Sequence, residues 1–295
     1  MGNPIGPQVA IIVLNWNGSE DTAECLRSLR DSDASTARIL VFDNGSRPEE
    51  LQRLSLLENL EIHTSPTNLG FAEGNNEAVR RLGDGIRWLV FLNNDTVVPR
   101  TWLASLLEIL ETKAPCIVSP AILRGAPGDE LEWWFSGARI SWSLGRPILE
   151  TSEPPPFPQP LPYVPGCCLA IGKGDWDQLG GFDPGYFAYF EDTDLCARAA
   201  LAGIKSWMDP RSRIHHKVSR ATGEDSPFRI ELFTRNRLLF MRKFAPLWAW
   251  PPFFATQIVG RMVFALKYFA KPGGSRRYKA FLRGMAMGFT SRLRS

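Results

Sequence analysis

The sequence predicts an α/β fold with a mostly parallel sheet, followed by a basic helical segment. Three observations predict it. Apolar runs alternate with segments of helical period four times within about 100 residues, the pattern of right-handed βαβ units. These runs deliver polar side chains to what would be one sheet edge, at Asn15, Asp43 and Asp95. Open parallel sheets bind ligands at that edge. Charge is also divided along the chain. Residues 226–295 hold 14 Lys or Arg against one acid, Glu231, a net +13; residues 1–225 hold 20 against 30, a net −10.

The elements follow in order. "VAIIVLNWNG" (9–18) is a continuous apolar run, as in a strand buried on both faces. "SEDTAECLRSLR" (19–30) opens with Ser19 as a candidate N-cap and continues at helical spacing through Leu26 and Leu29. "RILVFDNGS" (38–46) is a second buried strand, and a polar helix is expected from about Pro48. "LEIHTS" (60–65) is a third strand, holding His63, to which no function is given. "NLGFAEGNNEAVRRL" (68–82) reads as a loop feeding a helix, "IRWLVFLNND" (86–95) as a fourth strand, and "RTWLASLLEILE" (100–111) as a helix.

Beyond residue 115 the periods weaken. "EWWFSGARISW" (132–142) alternates enough for a hairpin. Seven prolines in 151–166 predict a stiff irregular loop. A short buried strand is expected at 167–173. A short helix, an aromatic turn and a longer helix are expected within 174–203. Basic amphipathic helices are expected at 229–244 and 275–294. Between them, 244–260 is uncharged for 17 residues, short for a membrane span and interrupted by Pro251 and Pro252. Its tryptophans and phenylalanines suit a membrane surface. Nucleic acid is not expected as the partner of the basic segment, since no helix-turn-helix, RNP or zinc-knuckle pattern accompanies it.

With 295 residues, 44% of them hydrophobic, the chain can bury one large domain or a domain with an appendage. The start "MGNPIGPQVA" has no basic stretch leading into a long apolar one, so no secretory signal is expected. Five cysteines, an odd count without a CxxC pair, read as small core residues of a reduced cytosolic protein.

Five groups of residues could do chemistry. Asn15, Asp43, Asn44 and Ser46 place a carboxylate and amides where a ribose or a base could be held; an Asn-Gly turn is the bland alternative. Gly70 and Gly74 in "NLGFAEGNN" let backbone approach a ligand at a helix N-terminus, though the spacing is neither GxGxxG nor a P-loop. Asp95, after Asn93 and Asn94, could join diphosphate oxygens in holding Mg2+ or Mn2+, or could cap the following helix. Glu191, Asp192 and Asp194 crowd beside Tyr186, Phe187, Tyr189 and Phe190, a setting that raises carboxyl pKa values and suits a proton acceptor. Asp194 reads as the helix cap among them, paired with Arg198. In "RIHHKVSRATG" (213–223), His216 could ligate a metal, and Lys217 and Arg220 could hold phosphate.

Taken together, "VAIIVLNWNG", "VFDNGS", "NLGFAEGNN", "FLNND", "PGCCLAI", "GGFDPGYFAYFEDTDLCARAALAG" and "HHKVSRATG" resemble, in order and spacing, the inverting glycosyltransferases of family 2. The resemblance covers about residues 8–245 and lies in the rhamnosyltransferase-like bacterial branch. It implies a GT-A, Rossmann-like core over 1–225, with a donor half at about 8–115 and an acceptor half at about 116–225. Residues 226–295 would form a helical, membrane-surface segment. It further implies that Asn15, Asp43, Asn44, Ser46, Asn68, Gly70, Asn75, Asn93 and Asn94 serve the donor nucleotide. Asp95 and His216 would hold a divalent metal. Asp192, with Glu191 beside it, would be the general base. "NND" stands where the family has DXD, so Asn93 replaces the first acid and leaves less charge on the metal.

The implied donor is dTDP-rhamnose or a UDP-sugar. The implied acceptor is a lipid-linked glycan or polysaccharide of the cell envelope, met at the inner face of the membrane. Two rivals stand beside this reading. A nucleotidyltransferase would open on a Gly-rich phosphate loop with a basic residue, which "VLNWNGSED" lacks. A non-catalytic glycan- or lipid-binding protein would need no base.

Overall fold

The computed structural model describes residues 8–57, 60–130, 132–218, 226–269 and 273–291, the side chains at 261 and 264–269 excepted. In chain order the first elements are β1 (Val9–Asn15), α1 (Ser19–Arg30), β2 (Arg38–Asn44), α2 (Pro48–Ser55), β3 (Glu61–Ser65), α3 (Gly70–Arg80) and β4 (Trp88–Asn93). β5 (Thr96–Val97), α4 (Leu103–Thr112), β6 (Cys116–Arg124), β7 (Trp133–Phe135), β8 (Gly137–Ser141), β9 (Arg146–Glu150) and β10 (Gln159–Leu161) come next. β11 (Cys168–Gly172), α5 (Lys173–Leu179), α6 (Glu191–Leu201), β12 (Lys205–His216), α7 (Pro227–Phe244), α8 (Trp250–Phe269) and α9 (Gly274–Thr290) complete the chain.

β3, β2, β1 and β4 form the expected parallel block, side by side in that order. Their apolar runs bury both faces: Ile11, Ile12, Val13, Leu40, Val41, Val90 and Phe91 are all inaccessible to solvent. Beyond β4 the sheet continues as a mixed one through β11, β6, β12 and β10. β11 runs antiparallel to both β4 and β6, whereas β12 runs parallel to β6. The order places the ends of β1, β2, β4 and β12 along one edge.

Several local expectations are corrected. Ser19 does not cap α1; it is the first helical residue. The carboxylate of Glu50 on α2 accepts from both its amide (3.2 Å) and its hydroxyl (2.6 Å). Asp95 does not cap α4. Asp33 does so instead, accepting from the amides of Trp102, Leu103 and Ala104 at 3.0–3.3 Å. Residues 132–142 do not form a hairpin. β7 joins β6 in the large sheet, while β8 pairs with β9 across a turn that uses Gly145 at φ +62°. The alternating pattern spans a break at Ser136, where the chain passes from one sheet to the other. The proline-rich stretch is not wholly irregular, because β10 pairs with β12. Pro160 is tolerated there because β10 ends the sheet, where a missing N–H removes no ladder bond.

The basic C-terminal region folds as α7, α8 and α9. Ser226 caps α7 by accepting from the Arg229 amide at 3.2 Å, with Pro227 in the first turn. Pro251 and Pro252 likewise stand in the first turn of α8, where no intrahelical N–H bond is lost. Among the described residues no helix is long and apolar enough to cross a membrane.

Candidate active site

A cavity of about 630 Å3 opens over the ends of β1, β2 and β4. Of the residues singled out from the sequence, Asn44, Asn68, Gly70, Asn93, Asn94, Asp95 and His216 line it. Asn15, Asp43, Ser46 and Asn75 do not line it. They form the layer beneath. Asn15, wholly buried, donates to the Asp43 carboxylate (2.7 Å) and to Ser46 Oγ (3.1 Å), and its Oδ1 accepts from Thr22 Oγ1 (2.9 Å). Asn94 reaches back into the same network through Thr22 Oγ1 (3.0 Å). Asn75 donates to the Phe71 carbonyl within α3. Asn44 bonds the amide of Leu69, the carbonyl of Gly70 and the side chain of Asn68, and so fixes the loop entering α3. Gly70 has φ +83°, and a Cβ there would stand 2.5 Å from the Phe187 carbonyl oxygen, so the position demands glycine.

Asp95, in the turn before β5, and His216, the last residue of β12, lie 121 residues apart and are joined because β5 pairs with the end of β12. His216 Nε2 lies 3.1 Å from Asp95 Oδ1 and 3.5 Å from Asn93 Nδ2. Trp134 meets the imidazole edge-on at 5.0 Å. Burial acts to lower the His216 pKa, but Cys167 and the Asp95 carboxylate outweigh it and raise it to about 10. The 3.1 Å spacing is that of a direct Nε2–H···Oδ1 hydrogen bond, and it also matches the about 3 Å between neighbouring ligands of an octahedral ion, which would have to displace the imidazole proton. Among the described residues no group of three or more His, Cys, Asp and Glu could hold a metal. An ion held by Asp95 and His216 would therefore take its other ligands from water and from a bound diphosphate. Lys217 does not face the cavity; it pairs with Asp21 (2.7 Å) and Glu24 (2.6 Å). Arg220 lies outside the described residues.

A second cavity of about 390 Å3 holds Glu191 and Asp192. It shares Phe71, Asn93, Ala188, Tyr189 and His216 with the first, so the two are continuous. Asp192 Oδ2 accepts from Tyr163 Oη (2.8 Å) and the Gly166 amide (3.0 Å), and Oδ1 from the Thr193 amide (2.7 Å). Burial raises the Asp192 pKa, while these donors pull the other way. Glu191 is deeply buried, and its Oε2 has no hydrogen-bond partner. Burial, with the charge of Asp192 added, holds its carboxyl well above the usual range. Asp194 is not the cap of α6 but an ion-pair centre, bonded to Arg198 (2.6 Å) and to Lys243 of α7 (2.5 Å).

The chain reaches Glu191 through a strained turn. Phe187, Tyr189 and Phe190 all have positive φ, between 63° and 73°, each costing about 1–3 kcal/mol. Asn236 of α7, wholly buried, donates through Nδ2 to the carbonyls of Tyr186, Ala188 and Tyr189, each at 2.8 Å. Two hydrogens serve three acceptors, so at least one is shared. Arg235 adds a bond to the Gly185 carbonyl (2.6 Å), and Lys243 pairs with Asp183 (2.9 Å).

Sequence reasoning missed Trp16, Tyr163 and Asn236. Trp16 lines the first cavity and is 41% exposed, and its place directly after Asn15 was the available signal. Tyr163, the lone tyrosine of the proline-rich stretch, and Asn236, an amide inside an amphipathic helix, announce nothing locally.

The model of glycosyl transferase family 2 matches residues 10–174, more than half of the chain. The low-salt glycan biosynthesis hexosyltransferase Agl10 of Haloferax volcanii is 26% identical over 237 residues, 78% of this chain and 74% of that protein. The N-acetylglucosaminyl-diphospho-decaprenol L-rhamnosyltransferase of Mycobacterium tuberculosis is 23% identical, covering 78% of this chain and 83% of its own. Among solved structures, GalNAc-T7 with UDP, GalNAc and Mn2+ superposes with a TM-score of 0.64 at 17% identity. That match covers 79% of this chain but 48% of GalNAc-T7, so the chain spans about half of it. The mannosyltransferase PcManGT of Pyrobaculum calidifontis, with GDP-Man and Mn2+, gives a TM-score of 0.59 at 16% identity, covering 96% of this chain and 87% of that one. These structures carry the GT-A fold, and with the family match they make the chain a glycosyltransferase that belongs to glycosyl transferase family 2.

Proposed function

We propose that the enzyme transfers a sugar, L-rhamnose in the favoured reading, from a dTDP- or UDP-linked donor to a lipid-linked or polysaccharide acceptor of the cell envelope, with inversion. The observation that carries this is the continuity of two cavities, one reaching Asp95 and His216 and the other reaching Asp192. The nucleotide diphosphate takes the first cavity, against Asn44, Asn68, Gly70, Asn93, Asn94 and the ring of Trp16. Asn15, Asp43 and Ser46 brace the strand ends beneath it, and Asn75 steadies the first turn of α3. The acceptor hydroxyl enters the second.

Asp192 accepts the proton of that hydroxyl as its oxygen bonds to the anomeric carbon and the carbon–diphosphate bond breaks on the opposite face. Tyr163 and the Gly166 amide hold the carboxylate for this step, and the raised pKa of Glu191 favours keeping the pair's shared proton off Asp192. Asp95 and His216 would hold Mg2+ or Mn2+, which when bound would neutralise charge on the departing diphosphate. Support for a metal comes from the 3.1 Å spacing of that pair and from the Mn2+ in both solved relatives. The identity of the sugar rests on the rhamnosyltransferase relatives alone.

The same reading places the enzyme at the cytoplasmic surface of an anionic membrane. Leu247, Trp248, Ile258, Val259 and Met262 are exposed on and before α8, within the segment of net charge +13. Basic side chains near anionic lipid are each worth about 1 kcal/mol. Failure to sediment with phosphatidylglycerol vesicles at low salt would count against this placement.

The donor assignment is tested by thermal unfolding against dTDP, UDP, GDP and their sugars, each with Mn2+, with Mg2+ and with chelator. A ligand that binds only the folded state raises the midpoint by mass action. A metal-dependent rise confined to dTDP or UDP compounds is expected. No rise with any nucleotide would defeat the reading.

A further inference from the structure

A hollow of about 320 Å3 adjoins the cavity that holds Asp192. Arg146 of β9 and Arg229 and Phe233 of α7 line both, so the two are continuous. Arg237 and Thr234 complete its polar wall, and no acidic side chain lines it among the described residues. Arg229 and Arg237 lie eight residues apart on α7, which puts both on one helix face. Glu231, the acid nearest in sequence, is engaged elsewhere, with Arg283 at 2.7 Å.

Arg237 is held from behind by α8. Its Nη2 donates to the Gln257 side chain, and its guanidinium lies over the Phe253 ring at 5.8 Å. Its Nε is buried and makes no hydrogen bond. Burial and the nearby charge of Arg146 push its pKa down to about 10. A buried, incompletely bonded cation is costly until an anion completes it. Guanidinium forks match phosphate oxygens in a bidentate manner.

The donor diphosphate already has a place beside Asp95 and His216, in the other cavity. A second phosphate group on this side belongs to the acceptor. Ile230, Phe233 and Phe281 add apolar side chains to the same hollow, a seat for the start of a hydrocarbon chain. We propose that Arg146, Arg229 and Arg237 form an anion subsite that grips the phosphate or diphosphate of a lipid-linked sugar acceptor, whose chain starts against Ile230, Phe233 and Phe281. The subsite rests on the acceptor reading given under the proposed function.

The test is titration calorimetry on the full chain in EDTA, so that metal-dependent binding at Asp95 and His216 is silent. The probes are farnesyl diphosphate, inorganic pyrophosphate and farnesol. Farnesyl diphosphate is expected to bind more tightly than pyrophosphate, and farnesol not to saturate. Arg146→Gln and Arg237→Gln should each weaken farnesyl diphosphate tenfold or more, with Arg100→Gln as a distant control that changes nothing. Farnesyl diphosphate affinity that ignores both substitutions overturns the subsite. Pyrophosphate binding as tight as farnesyl diphosphate overturns its assignment to a lipid phosphate. If Arg237→Gln melts early, the exposed Arg146 carries the test alone. Binding of UDP or dTDP with Mn2+ is measured on the same proteins and should not change. Absence of nucleotide binding in the unmodified chain would defeat the donor reading instead, so the two failures are distinguishable.

Discussion

The two walls of the site are built in different ways. The wall proposed for the donor is the carboxyl edge of the parallel strands. Asn15, Asp43 and Asn93 sit in the last register positions of adjacent strands, so the ladder itself sets their spacing. The acceptor wall has no such ladder. Asp192 follows a turn with three residues at positive φ, and that turn is held by Asn236 of α7, 44 residues further on. One wall is fixed by secondary structure; the other by a few long-range polar bonds that outweigh local strain. On the proposed reading α7 therefore supports the catalytic wall as well as contributing to a basic surface.

Breaking this contrast should give effects of graded size. Asp192→Asn keeps the shape of the acceptor wall and removes the base, so turnover should fall by ~10²–10⁴. Steady-state kinetics with the donor found by the nucleotide panel checks this; a normal rate would remove Asp192 from the role. Asn236→Leu should come next. It removes a donor shared by three carbonyls, of which that of Tyr186 still accepts from the Ala188 amide, and releases the strained turn, a loss of about 2 kcal/mol, or a fall of roughly 4–8 °C in midpoint. An unchanged midpoint would show that the turn supports itself.

Tyr163→Phe removes one of the donors that hold the Asp192 pKa down. Its acid limb in kcat/KM should move to higher pH, with a loss of about tenfold below that limb. An unmoved limb would limit Tyr163 to packing. Glu191→Gln should have the smallest effect. The folded protein keeps the Glu191 proton above pH 4.5, where the unfolded chain has lost it, so this group's contribution falls as pH rises through that range toward its raised folded value. Relative to the unmodified chain, the Gln variant should gain midpoint on going from pH 4 to pH 7. Parallel pH curves would mean that Glu191 is ionised in the fold.

The same contrast explains what the sequence disclosed. The donor wall was legible because an apolar run ending in Asn or Asp is a local pattern, and strand ends in a parallel sheet share one edge. Depth was not legible: Asn15 and Asp43 spend their hydrogen bonds on each other and on Ser46, one layer below the cavity. Asp192 was legible through its crowding with Glu191 and the aromatic residues. Its partners were not. Tyr163 lies 29 residues away in a stretch whose prolines suggested only stiffness, and Asn236 looks like one polar position in a basic helix. The 132–142 hairpin misled because its alternating period is real, while Ser136-Gly137 marks a change of sheet and not a hairpin turn.

The most direct test of this division of labour is nucleotide binding, with Mn2+ and with chelator, by Asp95→Ala and Asp192→Asn side by side. The expected result is that Asp95→Ala weakens metal-dependent binding about 10–100-fold, the usual scale for a disturbed metal site, while Asp192→Asn binds as the unmodified chain does. Equal affinities for the two variants, or unchanged metal dependence in Asp95→Ala, would contradict the separation of a donor wall at Asp95 from an acceptor wall at Asp192.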